Sequence, residues 1–91
     1  MTEDALADAE ATDRGLREQI SDLVHARARA AAEAGRLADR AILPGAHAEL
    51  AELGSRYARQ AELLAAEIES LRASLRAAEA QLERLRAPDA T

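Results

Sequence analysis

Two long helices folded back on one another, an all-α antiparallel hairpin of coiled-coil type, are what this sequence predicts. Three observations carry that expectation. Over residues 57–85 the apolar side chains fall at Tyr57, Ala61, Leu64, Ile68, Leu71, Leu75, Ala78, Leu82 and Leu85, in alternating steps of four and three. That 3.5-residue spacing lines a single seam on a helix, the a/d pattern of a coiled coil. A second seam of the same spacing runs through the first half of the chain, and Ile42-Leu43-Pro44-Gly45 separates the two.

Composition agrees. At 91 residues the chain is one domain at most, and 32% of it is charged, with Ala, Glu, Leu and Arg dominating, the profile of a long helix. There is one Tyr and no Phe, Trp or Cys. A small chain buries a smaller share of its surface, so a thin core is expected. The missing cysteines exclude disulfides, thiolate metal sites and thiol catalysis, and leave the redox compartment open.

The first stretch, residues 1–12, reads as an acidic, partly helical arm. Glu3, Asp4, Asp8, Glu10 and Asp13 precede the first basic residue, Arg14, and the charges after them cancel, so the net charge of −5 belongs to this end. Acids suit the positive end of a helix dipole, which makes a solvated helix start the plain expectation and docking on a basic partner surface the sharper one. Nucleic-acid binding, which needs positive potential along a face, is not expected.

Residues 13–43 read as helix 1. Glu10 with Arg14 and Asp13 with Arg17 stand four apart in the favourable acid-first order, and Gly15 is a weak point that the helix is expected to bridge. The seam here is Leu16, Ile20, Leu23, Ala30, Ala34, Leu37 and Ala41. Arg27 takes the place between Leu23 and Ala30, where its methylenes can lie along the seam with the head in water. Val24, Ala31 and Ala38 widen the stripe by one flanking position.

Residues 44–46 read as the turn, built on Leu43, Pro44 and Gly45. A residue before proline is pushed out of the α region, and glycine supplies the dihedral a reversal needs. So short a link makes the helices antiparallel neighbours. Helix 2 then spans 47–86 and stops before Pro88, leaving 87–91 as a tail. Folding about Pro44-Gly45 pairs residues whose numbers sum to roughly 89 or 90 by helix rise, setting Gly35 near Gly54 and Ile20 near Leu71.

The return arm holds more large apolar surface than residues 5–31 can cover, and a lone hairpin covers each helix on one side only. Leu64, Ile68, Leu71, Leu75, Leu82 and Leu85 are therefore the expected partner-binding residues. They would meet a second copy, giving a four-helix bundle, or a helix of another protein.

Catalytic and cofactor signals are absent from the pattern. His25 and His47 are the only histidines and fall many turns apart, so no metal is expected. No HExxH, Gly-rich phosphate loop or G-x-S-x-G occurs, and Ser21, Ser55, Ser70 and Ser74 lack a nearby base. No apolar run approaches a membrane span, and acids stand where a secretory signal would carry Lys or Arg. The expectation is a cytoplasmic protein, or one exported by a signal-independent route, with no cofactor and no small-molecule substrate.

Three resemblances bear on function. The segment Leu16-Arg17-Glu18-Gln19-Ile20 resembles the Leu-Arg-x-x-Ile opening of the all-helical chorismate mutases, which implies for Arg17 a role in binding a substrate carboxylate. The chain has no lysine, and that family's other site residues and third helix find no counterpart, so no enzyme is expected. The bend at Leu43-Pro44-Gly45 and the apolar spacing after it resemble the co-chaperones of type III secretion needle subunits, short hairpins with a Leu-rich second helix. That resemblance implies a chaperone-like partner for an aggregation-prone subunit. The WXG100-like substrates of type VII secretion are similar in length and hairpin form; here Leu43-Pro44-Gly45 stands in place of their Trp-x-Gly turn.

Overall fold

Good helix formers on either side of one proline-glycine corner give two helices and no other element among the described residues. The computed structural model describes residues 2–87. Helix α1 spans Thr2–Ala41 and helix α2 spans Ala48–Arg86. They pack against each other as an antiparallel hairpin measuring 73 × 18 × 12 Å. The radius of gyration is 20.4 Å, against roughly 12 Å for a compact chain of this length. No helix among the described residues is long and apolar enough to cross a membrane.

Three boundaries differ from expectation. Residues 2–12 are not a separate arm: α1 is continuous through them, with Glu3 and Asp4 in its first turn at the positive end of the dipole. Nothing between Thr2 and Ala41 breaks a helix strongly enough to stop it, Gly15 included. The link is also longer than 44–46, since α1 ends at Ala41 rather than 43 and α2 starts at Ala48 rather than 47. Of the expected tail, residues 88–91 lie outside the described residues.

The corner has a specific geometry. Ala46 N–H donates to the Leu43 carbonyl at 3.1 Å, and Gly45 has φ 81°. Pro at the second position and a positive-φ Gly at the third make Leu43-Pro44-Gly45-Ala46 a type II turn. Leu43 N–H donates to Arg40 O at 3.2 Å, drawing the end of α1 into the turn. His47 is the extended residue that starts α2; its side chain makes no cap, and Leu50 N–H reaches the His47 carbonyl at 3.0 Å. At the far end Ala87 is extended, as a residue before proline must be.

Both seams face each other. Every seam residue of α2 from Tyr57 to Leu85 is buried or half-buried. The fully buried apolar set is small: Ala30, Leu37, Ala61, Ile68 and Leu82. Arg27 is exposed at its seam place, and the neighbouring Ala26 is half-buried instead. Val24, Ala31 and Ala38, which widen the stripe on α1, are exposed, because one partner helix covers a seam but not its margin.

Two glycines do not meet. Gly54 is buried against α1, and a Cβ there would lie 3.3 Å from Leu37 Cβ and 3.6 Å from the Ala34 carbonyl oxygen. Gly35 is exposed, with nothing near the place of its Cβ, because it lies one position off the seam. Of the two glycines, only Gly54 serves close approach of the helices near the bend.

Gly45→Ala should lower the thermal midpoint by roughly 5–10 °C, the cost of a left-handed L-residue of about 1–2 kcal/mol in a small domain. Gly15→Ala, in mid-helix with open space around it, should raise the midpoint by about 4–8 °C through helix propensity. Circular dichroism melts of the two variants check both signs.

Candidate functional site

The expected partner-binding residues all lie on the inward seam of α2, but they are not equivalent. Ile68 and Leu82 are enclosed within the hairpin, at 2% and 6% exposure. They hold α1 to α2 and are enclosed by the hairpin itself. Leu64, Leu71, Leu75 and Leu85 are only half-buried. A two-helix seam has no third element, so each of these layers is shielded by α1 in front and open along its sides. Leu63, one position off the seam, is 73% exposed and belongs to neither group.

Exposed apolar groups collect at the bend. Ile42 is 82% exposed and the expected turn residue Leu43 59%, so both project large side chains into solvent. Beside them a shallow groove of about 540 Å³ runs between the helices, lined by small residues including Ala34, Gly35, Ala38, Ala51, Ser55 and Ala58. These occupy seam positions or positions one past the seam on each helix. That is the same margin of the hairpin on both sides, since antiparallel helices bring like flanks together.

Farther along the same margin, at the open end, lies a wider groove of about 810 Å³ lined almost wholly by charged side chains. Here stand the interhelical ion pairs of the described residues: Arg17 donates to Glu79 at 2.7 Å, and Arg86 donates to Glu10 at 3.1 Å. Arg17 also donates from Nε to Asp13 at 2.9 Å, so it joins three side chains across the helices. Both cross-pairs lie six or seven residues beyond the partners that folding about Pro44-Gly45 predicts. Each arginine has leaned toward the N-terminus of its own helix, the direction in which helical Cα–Cβ bonds tilt. The length of the side chain accounts for the displacement, since the backbone register near the bend, where Gly54 faces Ala34, Leu37 and Ala38, stays close to the expected one.

Asp13 pairs with Arg17 as their four-residue spacing predicts; what sequence reading missed is that Asp13 stands in the seam. Stepping back from Leu16 by three and then four gives Asp13 and Ala9, so the seam continues with a carboxylate in it. Its side chain is 16% exposed; one oxygen takes the Arg17 hydrogen bond, and Oδ1 has no partner among the described residues. The Arg17 guanidinium is held above the ordinary arginine value, first by the hydrogen bond to Asp13, then by the charges of Asp13 and Glu79, with desolvation opposing. A raised folded value means the contribution is present below the ordinary arginine range and is lost only as pH rises through the raised value. Arg17 stays charged at every physiological pH. It is engaged in ion pairs rather than aimed into a carboxylate-binding pocket.

His25 is exposed, its Nδ1 2.7 Å from the Ser21 carbonyl, so that nitrogen carries the proton. His47 is exposed at the start of α2. Among the described residues no three His, Asp or Glu side chains converge as metal ligands would. The chain matches no protein-family model, no curated protein and no solved structure.

Asp13→Leu should stabilise the hairpin by about 1 kcal/mol, raising the thermal midpoint by roughly 4–8 °C, because a desolvated carboxylate gives way to apolar contact while Arg17 keeps Glu79. A lowered midpoint would show that the Asp13–Arg17 pair outweighs its desolvation.

Proposed function

We propose that this chain is a non-enzymatic helical-hairpin interaction module acting in the cytoplasm, whose role is to pack against another helix, either that of a second copy or that of a partner protein. The observation that carries the reading is the incompleteness of its seam. Leu64, Leu71, Leu75 and Leu85 are left half-open along their sides, and among the described residues no side chain larger than Leu or Ile is fully buried. The chain exposes 6837 Å², where a compact monomer of its 9.7 kDa mass exposes about 5,100 Å². Small chains compensate for so thin a core with disulfides, metals or association, and this one has no cysteine.

A helix laid along one side of the hairpin closes those layers and converts an a/d seam into the wider stripe of a bundle core. The resemblance to needle-subunit co-chaperones implies a partner helix from an aggregation-prone subunit. The same surface accommodates a second copy, and nothing in the mechanism requires a cofactor or a reaction.

Association predicts that stability follows concentration by mass action. Circular dichroism melts at about 1 µM and about 200 µM, paired with sedimentation at both, should show a midpoint that rises with concentration. A single-chain mass at both, with one unchanging midpoint in the roughly 45–65 °C range of self-sufficient mesophile domains, would remove the need for any partner.

A further inference from the structure

The grooved margin of the hairpin divides into two halves of different chemistry. On its α1 side Val24, Ala28, Ala31, Gly35, Ala38 and Ile42 follow one another one position past the seam, with no charge among them. On its α2 side Ala51, Ser55 and Ala58 do the same, and the first charge is Glu62. Toward the open end the margin turns to Glu10, Arg14 and Arg17 on α1, and on α2 to Glu69, Arg72, Arg76, Glu79, Glu83 and Arg86. The opposite margin of α1 has no such uncharged run, carrying Asp22, Arg29, Glu33, Arg36 and Arg40.

Within the hairpin, Arg17 takes Glu79 and Arg86 takes Glu10. Arg14 and Glu83 line the same groove, yet neither makes an ion pair among the described residues. We infer that this margin binds the same margin of a second copy with the two hairpins parallel, bend beside bend, as a four-helix bundle. The inference rests on the interaction-module reading and gives it one occupant, one face and one direction.

The direction follows from charge. A two-fold axis along the hairpin sets α1 of each copy against α2 of the other, so every neighbouring pair of helices is antiparallel. Arg14 then stands opposite Glu83 of the second copy, at nearly the same offset by which Arg17 reaches Glu79 and Arg86 reaches Glu10. The symmetry makes the contact twice. Full antiparallel overlap would instead lay the uncharged half of one copy on the Arg and Glu cluster of the other, desolvating charges without partners.

Area excludes the remaining arrangement, an offset pair joined only through the uncharged halves. Residues 24–42 span about 27 Å at helix rise. Across a hairpin 18 Å wide that is a footprint on the order of 500 Å², below the roughly 800 Å² per partner of a standard interface. Running the contact the length of the helices roughly doubles it, which brings the charged half in and makes its sign matching necessary.

Charge exchange tests the arrangement on the full chain. Arg14→Glu alone and Glu83→Arg alone should each weaken dimerisation about tenfold, since each homodimer then places like charges opposite one another twice. Mixed in equal amounts, the two variants should pair with each other to within about twofold of the unaltered chain, because the heterodimer restores both opposite-sign contacts. Ala38→Arg, at an exposed position, should give single chains with the helicity of a dilute unaltered sample. A mixture that fails to recover, or an Ala38→Arg chain that dimerises normally, overturns the parallel face-to-face arrangement while leaving an interaction module standing. An unaltered chain that stays single at about 200 µM and melts below the self-sufficient range likewise overturns the arrangement and leaves a partner protein's helix as the occupant. A single chain with a high, concentration-independent midpoint overturns both.

Discussion

One seam between two helices carries this molecule. The alternation of four and three runs from Leu6 on α1 and to Leu85 on α2, and among the described residues no other element contributes to the interior. A two-helix interface is geometrically open: knobs from each helix fill holes in the other, but both flanks of every layer face water. Fully buried side chains are therefore few, and alanines are among them. Each layer gains little by itself, and the fold depends on repeating the contact over some 60 Å of helix. Length takes the place of thickness.

The two ends of that seam are secured differently. At the bend the constraint is covalent and conformational: Pro44 fixes one dihedral, Gly45 accepts the left-handed one, and Gly54 lets α2 approach Leu37 closely. At the open end it is electrostatic and exposed, with Arg17 and Arg86 reaching across to glutamates. Exposed pairs of this kind are worth little individually and are screened by salt. The seam itself is interrupted there by Asp13, which trades apolar contact for a hydrogen bond to Arg17. Surface character changes along the same axis, from small and apolar at the bend to charged at the open end.

How far the sequence could be read follows from these physics. Periodicity located every α2 seam residue, and the proline-glycine pair located the reversal and its positive φ, because both signals are local and have one cause each. The seam position of Asp13 is hard to read because a polar residue looks like the end of an apolar pattern, although the step count passes straight through it. Gly35 and Gly54 were paired by counting from the bend. Counting sets the height correctly, but the one-position offset from the seam, itself legible in the sequence, turns Gly35 outward. The widening of the α1 stripe at Val24, Ala31 and Ala38 was legible as well. A linear pattern gives the breadth of an apolar face but not how many neighbours share it, and here α2 covers only the centre.

The lone aromatic ring gives the molecule a built-in optical gauge. Tyr57 sits half-buried on the α2 seam near Gly54, in the half held by the proline-glycine corner. With no tryptophan or phenylalanine in the chain, ultraviolet emission and near-ultraviolet dichroism report that spot and no other. Far-ultraviolet signals average over both rods. Unzipping from the charged tip inward would dim the average while the ring stayed sheltered, so the lag between the two signals times how far the zipper has opened before the corner gives way.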